Sequence, residues 1–302
     1  MIRVLGTIFA GILGLAFGSF LNVCASRWPA GESMVRPRSH CRSCARALAW
    51  WENVPLASWL ALGGRCHGCR GWIGCRYPLA ELAVGVLWAI SAWRFFAMAL
   101  DPRMPAALVF YELAKTAGAL LFLWLLTALA VLDAEHLWLP DKLTLSGAVI
   151  GYLFFLGQLF SAQKLASLTG LPLTAGLEKA PWGFYDIAGR RLLAVFAAAG
   201  LVLLIRWTYW LLRRREGVGL GDAKLMAMLA AWLGLPGALV AFVLGVTLGF
   251  LAALAALARS AGQQESWATA RLPLGAFLCI GGAVSNLWGQ QIIALYMRWR
   301  GF

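Results

Sequence analysis

The sequence predicts an all-α polytopic membrane protein with about eight transmembrane helices and a small cytoplasmic zinc-binding insertion between the first two. Three observations predict it. Of the 302 residues, 61% are hydrophobic and 13% charged, against about 45–50% apolar and 25% charged in a soluble domain. Apolar runs long enough to cross a hydrocarbon core of about 30 Å recur along the whole chain. One stretch, residues 26–77, interrupts them with arginines and two Cys-x-x-Cys pairs.

The first span is predicted over 4–25. It runs apolar for too long behind Arg3 to be a cleavable leader. Gly11, Gly14 and Gly18 recur at three- and four-residue spacing, the small-residue pattern that lets helices approach closely, and Asn22 is expected to bond to a neighbouring helix. The insertion carries Arg27, Arg36, Arg38, Arg42, Arg46, Arg65, Arg70 and Arg76 against Glu32 and Glu52. The positive-inside rule keeps such a loop in the cytoplasm and puts the N-terminus outside. Further spans follow at 79–99, 105–132 and 143–160, then a polar outer loop at 161–188. A span at 190–212 ends at Arg213-Arg214-Arg215, a cytoplasmic stop. Residues 223–235 form a short span closed by Pro236-Gly237, and 238–258 and 273–295 complete the count, with both termini outside. The domains expected are the first span (1–25), the insertion (26–77) and the remaining transmembrane core (78–302). The net charge of +13 is accounted for by juxtamembrane Arg and Lys facing anionic lipid, so no nucleic-acid partner is implied.

Two constellations carry chemistry. Asp133 follows the third span, and Asp222 opens the sixth behind Gly219-Leu-Gly221. The topology brings both to one membrane face. An ionisable residue at membrane depth is costly and points to function. Two carboxylates brought close cannot easily both ionise, so they share a proton, which is the equipment of an aspartic peptidase. The bland alternative is that each caps a helix or pairs with a base such as Lys142 or Lys224. Asp141, after Pro140, competes with Asp133 but stands where a helix N-cap belongs. Cys41-x-x-Cys44 and Cys66-x-x-Cys69 have the spacing of a four-thiolate structural zinc site. Disulfides are the rival, disfavoured in a reducing cytoplasm. Cys75 is a spare thiol, and Cys24 and Cys279 read as buried small hydrophobes.

With these residues in place, the chain resembles the type IV prepilin peptidases. The likeness covers Gly18-Ser-Phe-Leu-Asn22, the paired Cys-x-x-Cys, Trp51-Glu-Asn-Val-Pro55, Ala61-Leu-Gly-Gly-Arg65 and Arg76-Tyr-Pro-Leu-Ala-Glu81. It continues through Asp133…Leu139-Pro-Asp141, Gly219-Leu-Gly-Asp222-Ala-Lys224 and Leu272-Pro-Leu-Gly275. The resemblance implies a multi-pass protein of the bacterial inner membrane whose active site faces the cytoplasm. Such an enzyme cleaves the basic leader of type IV prepilins or type II secretion pseudopilins, then N-methylates the new terminus with S-adenosylmethionine. It implies catalysis by Asp133 and Asp222, and associates methylation with the insertion, particularly Gly63-Gly64. The chain departs from the family pattern at Arg65, Cys75 and Leu274. Glu52, Glu81 and Glu135 are candidate contacts for a basic leader. An ion- or proton-coupled transporter, a zinc-bearing scaffold and a presenilin-like protease are the alternatives.

Overall fold

Long apolar helices dominate a computed structural model that describes residues 1–169, 183–215, 219–260 and 272–300. Seven of them are long and apolar enough to cross a membrane. Their outward faces carry Ile8, Phe9 and Ile12, or Leu193, Phe196 and Leu204, all exposed. Such faces are stable against lipid and would be aggregation sites in water. The chain forms two compact units, residues 1–128 and 129–302.

The first unit contains α1 (Ile2–Arg27), the short α2 (Ala57–Ala61), α3 (Arg76–Ala99) and the part of α4 (Ala106–His136) up to residue 128. The glycine stripe of α1 packs as its spacing predicts. A Cβ at Gly14 would lie 2.9 Å from Gly85 Cα, and one at Gly18 2.6 Å from Glu81 Cα, so α1 and α3 meet backbone to backbone. Asn22 Nδ2 donates to Tyr77 O at 2.9 Å in the first turn of α3. Trp88 Nε1 donates to Leu120 O at 3.1 Å, and Trp124 Nε1 to Phe17 O at 3.0 Å. Arg27, buried at the end of α1, donates to Ser33 O and Pro37 O at 2.8 and 2.6 Å and ties the insertion to its helix.

The second unit contains the end of α4, α5 (Asp141–Thr169), α6 (Phe184–Arg213), α7 (Leu220–Ser260) and α8 (Leu274–Trp299). The predicted boundary of the third span moves. α4 continues through Asp133 and ends where Leu137 takes φ 49° with its amide on Asp133 O. α5 likewise extends beyond 160, so the start of the predicted outer loop is helical. The rest of that loop at 170–182, with Lys179, lies outside the described residues, as do 216–218 and the predicted polar loop at 261–271.

The predicted sixth and seventh spans are joined in α7, which breaks at Gly234 (φ 75°, ψ 174°). The break falls two residues before Pro236, which then sits in the first turn of the second stretch, where its missing N–H costs nothing. The stretches run in opposite directions. Lys224 reaches Asp141 and Trp232 Nε1 donates to Gly147 O, so the first stretch follows α5. A Cβ at Gly245 would touch Leu278, one at Gly249 Phe277, and one at Gly237 Ser285, so the second runs antiparallel to α8. α7 is therefore a hairpin that leaves the Asp222 end and returns to it. Arg191 of α6 closes the hairpin tip. Its guanidinium lies 4.0 Å from the centre of the Phe155 ring, and its Nη1 donates to Ala230 O at 3.5 Å. There it supplies positive charge to the carbonyl end of the first stretch.

Candidate active site and metal centre

Asp133 and Asp222 meet inside the second unit, 6% and 8% exposed. Asp133 stands in the last turn of α4, and Asp222 in the first turn of α7. The turn from α4 into α5 carries Leu139, which packs against both Gly221 and Gly275. A Cβ at Gly221 would lie 3.3 Å from Leu139 Cδ1, and one at Gly275 2.8 Å from the same atom and 2.9 Å from Asp133 Oδ2. The start of α8 closes the site from the third side. Ala276 N–H donates to Asp133 Oδ2 at 2.8 Å, with the Gly275 amide close to the same carboxylate. Asp222 Oδ2 accepts Gly219 N–H at 3.1 Å. The two carboxylates interact electrostatically, and the buried Cys279 thiol, one turn into α8, lies within reach of both. Buried acids so arranged can share a proton and hold a water between them.

The capping alternative fits one aspartate in part and the other not at all. Asp222 does reach back to the amide of Gly219 in its own first turn. Asp133 bonds across the unit to α8. Lys224 pairs with Asp141 Oδ1 at 2.6 Å, so that lysine is taken up by Asp141. Asp141 opens α5 and spends its carboxylate on that pair, not on capping its own helix. The amides of Gly275 and Ala276 are the site groups that residue types alone did not reveal. The Leu272-Pro-Leu-Gly275 motif is the signal that marks them. Two expectations about leader contacts are corrected. Glu52 is buried, accepting Ala49 N–H at 2.7 Å and the Arg46 guanidinium. Glu81 is buried, accepting Leu56 N–H at 2.8 Å. Neither carboxylate is available to a leader.

The four cysteines converge in the first unit. Sγ atoms of Cys41, Cys44, Cys66 and Cys69 all lie within 4.8 Å of one another. Two matching turns build the cluster. Cys41 N–H bonds Arg46 O and Ala45 N–H bonds Cys41 O, as Cys66 N–H bonds Gly71 O and Arg70 N–H bonds Cys66 O, each at 2.9 Å. Ala45 and Arg70 take φ of 56° and 57° at the same place in each turn. The Cys41 and Cys69 sulfurs are 3.8 Å apart, the edge of about 3.8 Å that a tetrahedron with Zn–S bonds of about 2.3 Å requires. All seven cysteines are free, so the disulfide alternative is not realised. Backbone amides of Cys69 and Gly68 pull the Cys66 thiol down to about 6, favouring the thiolate that a metal needs. The donor set and geometry fit zinc. Cys75 stands apart and exposed, and Cys24 and Cys279 are buried, as expected.

Gly63 and Gly64 both take positive φ, 61° and 70°. A Cβ on Gly64 would lie 2.9 Å from both Trp59 and Trp72, while nothing lies within 4 Å of one on Gly63. Trp59 Nε1 donates to Ile73 O at 3.0 Å. The glycines make a tight turn, with Gly64 packed between the tryptophans and Gly63 facing open space.

Residues 12–95 match the bacterial peptidase A24 N-terminal domain, and residues 120–254 the type IV leader peptidase family. Three relatives are each called a prepilin leader peptidase/N-methyltransferase. The one from Stutzerimonas stutzeri is 33% identical over 95% of this chain and 92% of its own length. That from Pseudomonas aeruginosa is 34% identical over 96% and 93%, and that from Burkholderia pseudomallei strain 1026b 36% identical over 95% and 87%. No solved structure matches.

Proposed function

The chain belongs to the type IV leader peptidase family, and from that premise we propose that it is a membrane aspartic endopeptidase whose catalytic pair is Asp133 and Asp222. It cleaves the leader of type IV prepilins or type II secretion pseudopilins and N-methylates the new terminus, the two activities in the names of its relatives. The observation that carries the reading is the buried meeting of the two carboxylates, lined by backbone amides and by glycines at 221 and 275, where a substrate backbone can come close.

In this mechanism a water between the carboxylates loses a proton to the ionised one as its oxygen attacks the scissile carbonyl. The protonated one gives its proton to the carbonyl oxygen, so a neutral diol forms. On collapse, the first carboxyl protonates the leaving nitrogen and the second recovers a proton from the diol. The ends of α4 and α7 supply the geometry, and the buried setting strengthens each interaction.

The protein lies in the inner membrane with this site at the cytoplasmic face. Arg213-Arg214-Arg215, closing α6 at the Asp222 end, and the arginines of the insertion support that orientation. Glu135, two residues past Asp133 and partly exposed beside His136, is the candidate contact for a basic leader. Cys41, Cys44, Cys66 and Cys69 hold a structural zinc, which supplies folding free energy to an insertion with little core of its own. Methylation would draw on S-adenosylmethionine, with the open turn at Gly63-Gly64 in the insertion as the candidate region to hold it. Nothing in the site favours a transporter.

The test is cleavage of a prepilin in membranes holding wild-type, Asp133→Asn or Asp222→Asn protein. Each variant, expressed to wild-type level, should lose on the order of 10²–10⁴-fold in rate. Normal cleavage by either would remove that residue from the pair.

A further inference from the structure

We infer that the proton shared by the pair resides on Asp222, and that Asp133 is the carboxylate base, held ionised by the backbone amides at the start of α8. The inference rests on the aspartic-peptidase reading and divides its two roles.

The surroundings of the two acids are unequal. Asp133 Oδ2 accepts Ala276 N–H at 2.8 Å, and the Gly275 amide beside it adds to the field on the same carboxylate. These amides belong to the first turn of a 26-residue helix, where unpaired N–H groups and the helix dipole favour negative charge. Gly275 has no Cβ where the carboxylate oxygen stands, since one would lie 2.9 Å from Oδ2. Asp222 accepts one amide, Gly219, at 3.1 Å. Its own first turn in α7 also favours charge, through that single longer bond. An amide can donate to a carboxylate but cannot accept from a carboxylic acid. Amides gathered at a helix N-terminus therefore favour the ionised form of Asp133 over that of Asp222.

The other groups facing the pair leave this asymmetry in place. Cys279 lies near both acids. Leu139 is apolar. Lys224 and Asp141 occupy each other at 2.6 Å, and Glu135 faces His136 at 3.8 Å. Asp133 is then the acid that takes the proton of water, and Asp222 the one that gives its proton to the carbonyl oxygen. Both return to their starting states when the diol collapses.

Infrared spectroscopy of the purified full-length protein in mildly acidic buffer tests the assignment through the carbonyl stretch of a protonated carboxyl. Wild type should show the buried-acid band, Asp133→Asn should keep it, and Asp222→Asn should lose it. A band kept in Asp222→Asn and lost in Asp133→Asn overturns the inference, and so does equal intensity in both. This readout does not depend on turnover, whereas failure of the wild type to cleave any prepilin would instead count against the peptidase reading. A second variant probes the amide itself. Ala276→Pro deletes the donor in a first turn that needs no intrahelical N–H, behind a permissive glycine. The acidic limb of its cleavage profile should move to higher pH. Movement of the alkaline limb instead, or an unshifted profile with lower rate, would assign Ala276 a structural role and overturn the inference. If that variant does not fold, the infrared comparison decides alone.

Discussion

A methyl group is the smallest probe of the Asp133 site. On Gly275 it would stand 2.9 Å from Asp133 Oδ2 and 2.8 Å from Leu139 Cδ1, so the carboxylate must shift by several tenths of an ångström. Gly275→Ala should therefore cut cleavage, on the order of 10²-fold for a displacement approaching 1 Å, while expression and thermal unfolding change little. Wild-type rates would show that the carboxylate does not need that position. Glu52 offers a second probe. The Ala49 amide, joined by the Arg46 guanidinium, outweighs burial and holds its carboxyl below the ordinary carboxylate value. A depressed folded value stabilises the insertion above the unfolded value and loses that contribution as pH falls through the folded one. Zinc release to a chromogenic chelator should be faster in Glu52→Gln than in wild type at neutral pH. The gap should close as acid protonates Glu52 below its usual range. A gap unchanged by pH would deny the carboxylate this role. That the two aspartates meet and the four cysteines converge was legible from residue type and spacing. The amides of Gly275 and Ala276 were not, because every residue owns one and only the fold aims it. Glu52 and Glu81 were misread for the converse reason: a carboxylate in a sequence does not announce that it is already bonded.

At the scale of elements, the α7 hairpin turns on one residue. Gly234 takes a φ and ψ open almost only to glycine, and a Cβ there would meet Arg191 Nη1 at 3.0 Å. Gly234→Ala should destabilise the protein by about 1–3 kcal/mol, measured by thermal unfolding in detergent. Gly157→Ala in α5, with nothing within 4 Å of the new methyl, is the control and should be neutral or slightly stabilising. Equal effects would mean that the turn tolerates a side chain. The sequence announced the break through Pro236-Gly237 but misplaced it, since proline opens the second stretch where the glycine before it makes the turn. Close packing of α1 was legible from the spacing of Gly11, Gly14 and Gly18, while its partner α3 was not, because the spacing does not say which helix it meets. The role of Arg191 was not, because a basic residue near a predicted loop looks like a topological signal until its helix is seen to cover a carbonyl end.

Across the whole molecule, most spans match the hydrocarbon core in length and one does not. The stretch of α7 from Leu220 to Leu233 rises about 21 Å, against a core of about 30 Å. Its two ends are fixed, by Asp222 at one and by Arg191 under the tip at the other, so it cannot lengthen. The difference falls on the surroundings: the bilayer must thin beside the hairpin, or the hairpin must shelter within the bundle. Local thinning would bring interfacial water to the carboxylates without a channel through the protein. Reconstitution into phosphatidylcholines of increasing acyl-chain length should then lower the cleavage rate as the bilayer thickens, with the protein still folded. A rate independent of chain length would mean that the bundle absorbs the mismatch itself. Where the bilayer yields to the short hairpin, lipid thickness becomes a variable of the chemistry, and a thin membrane a cofactor of sorts.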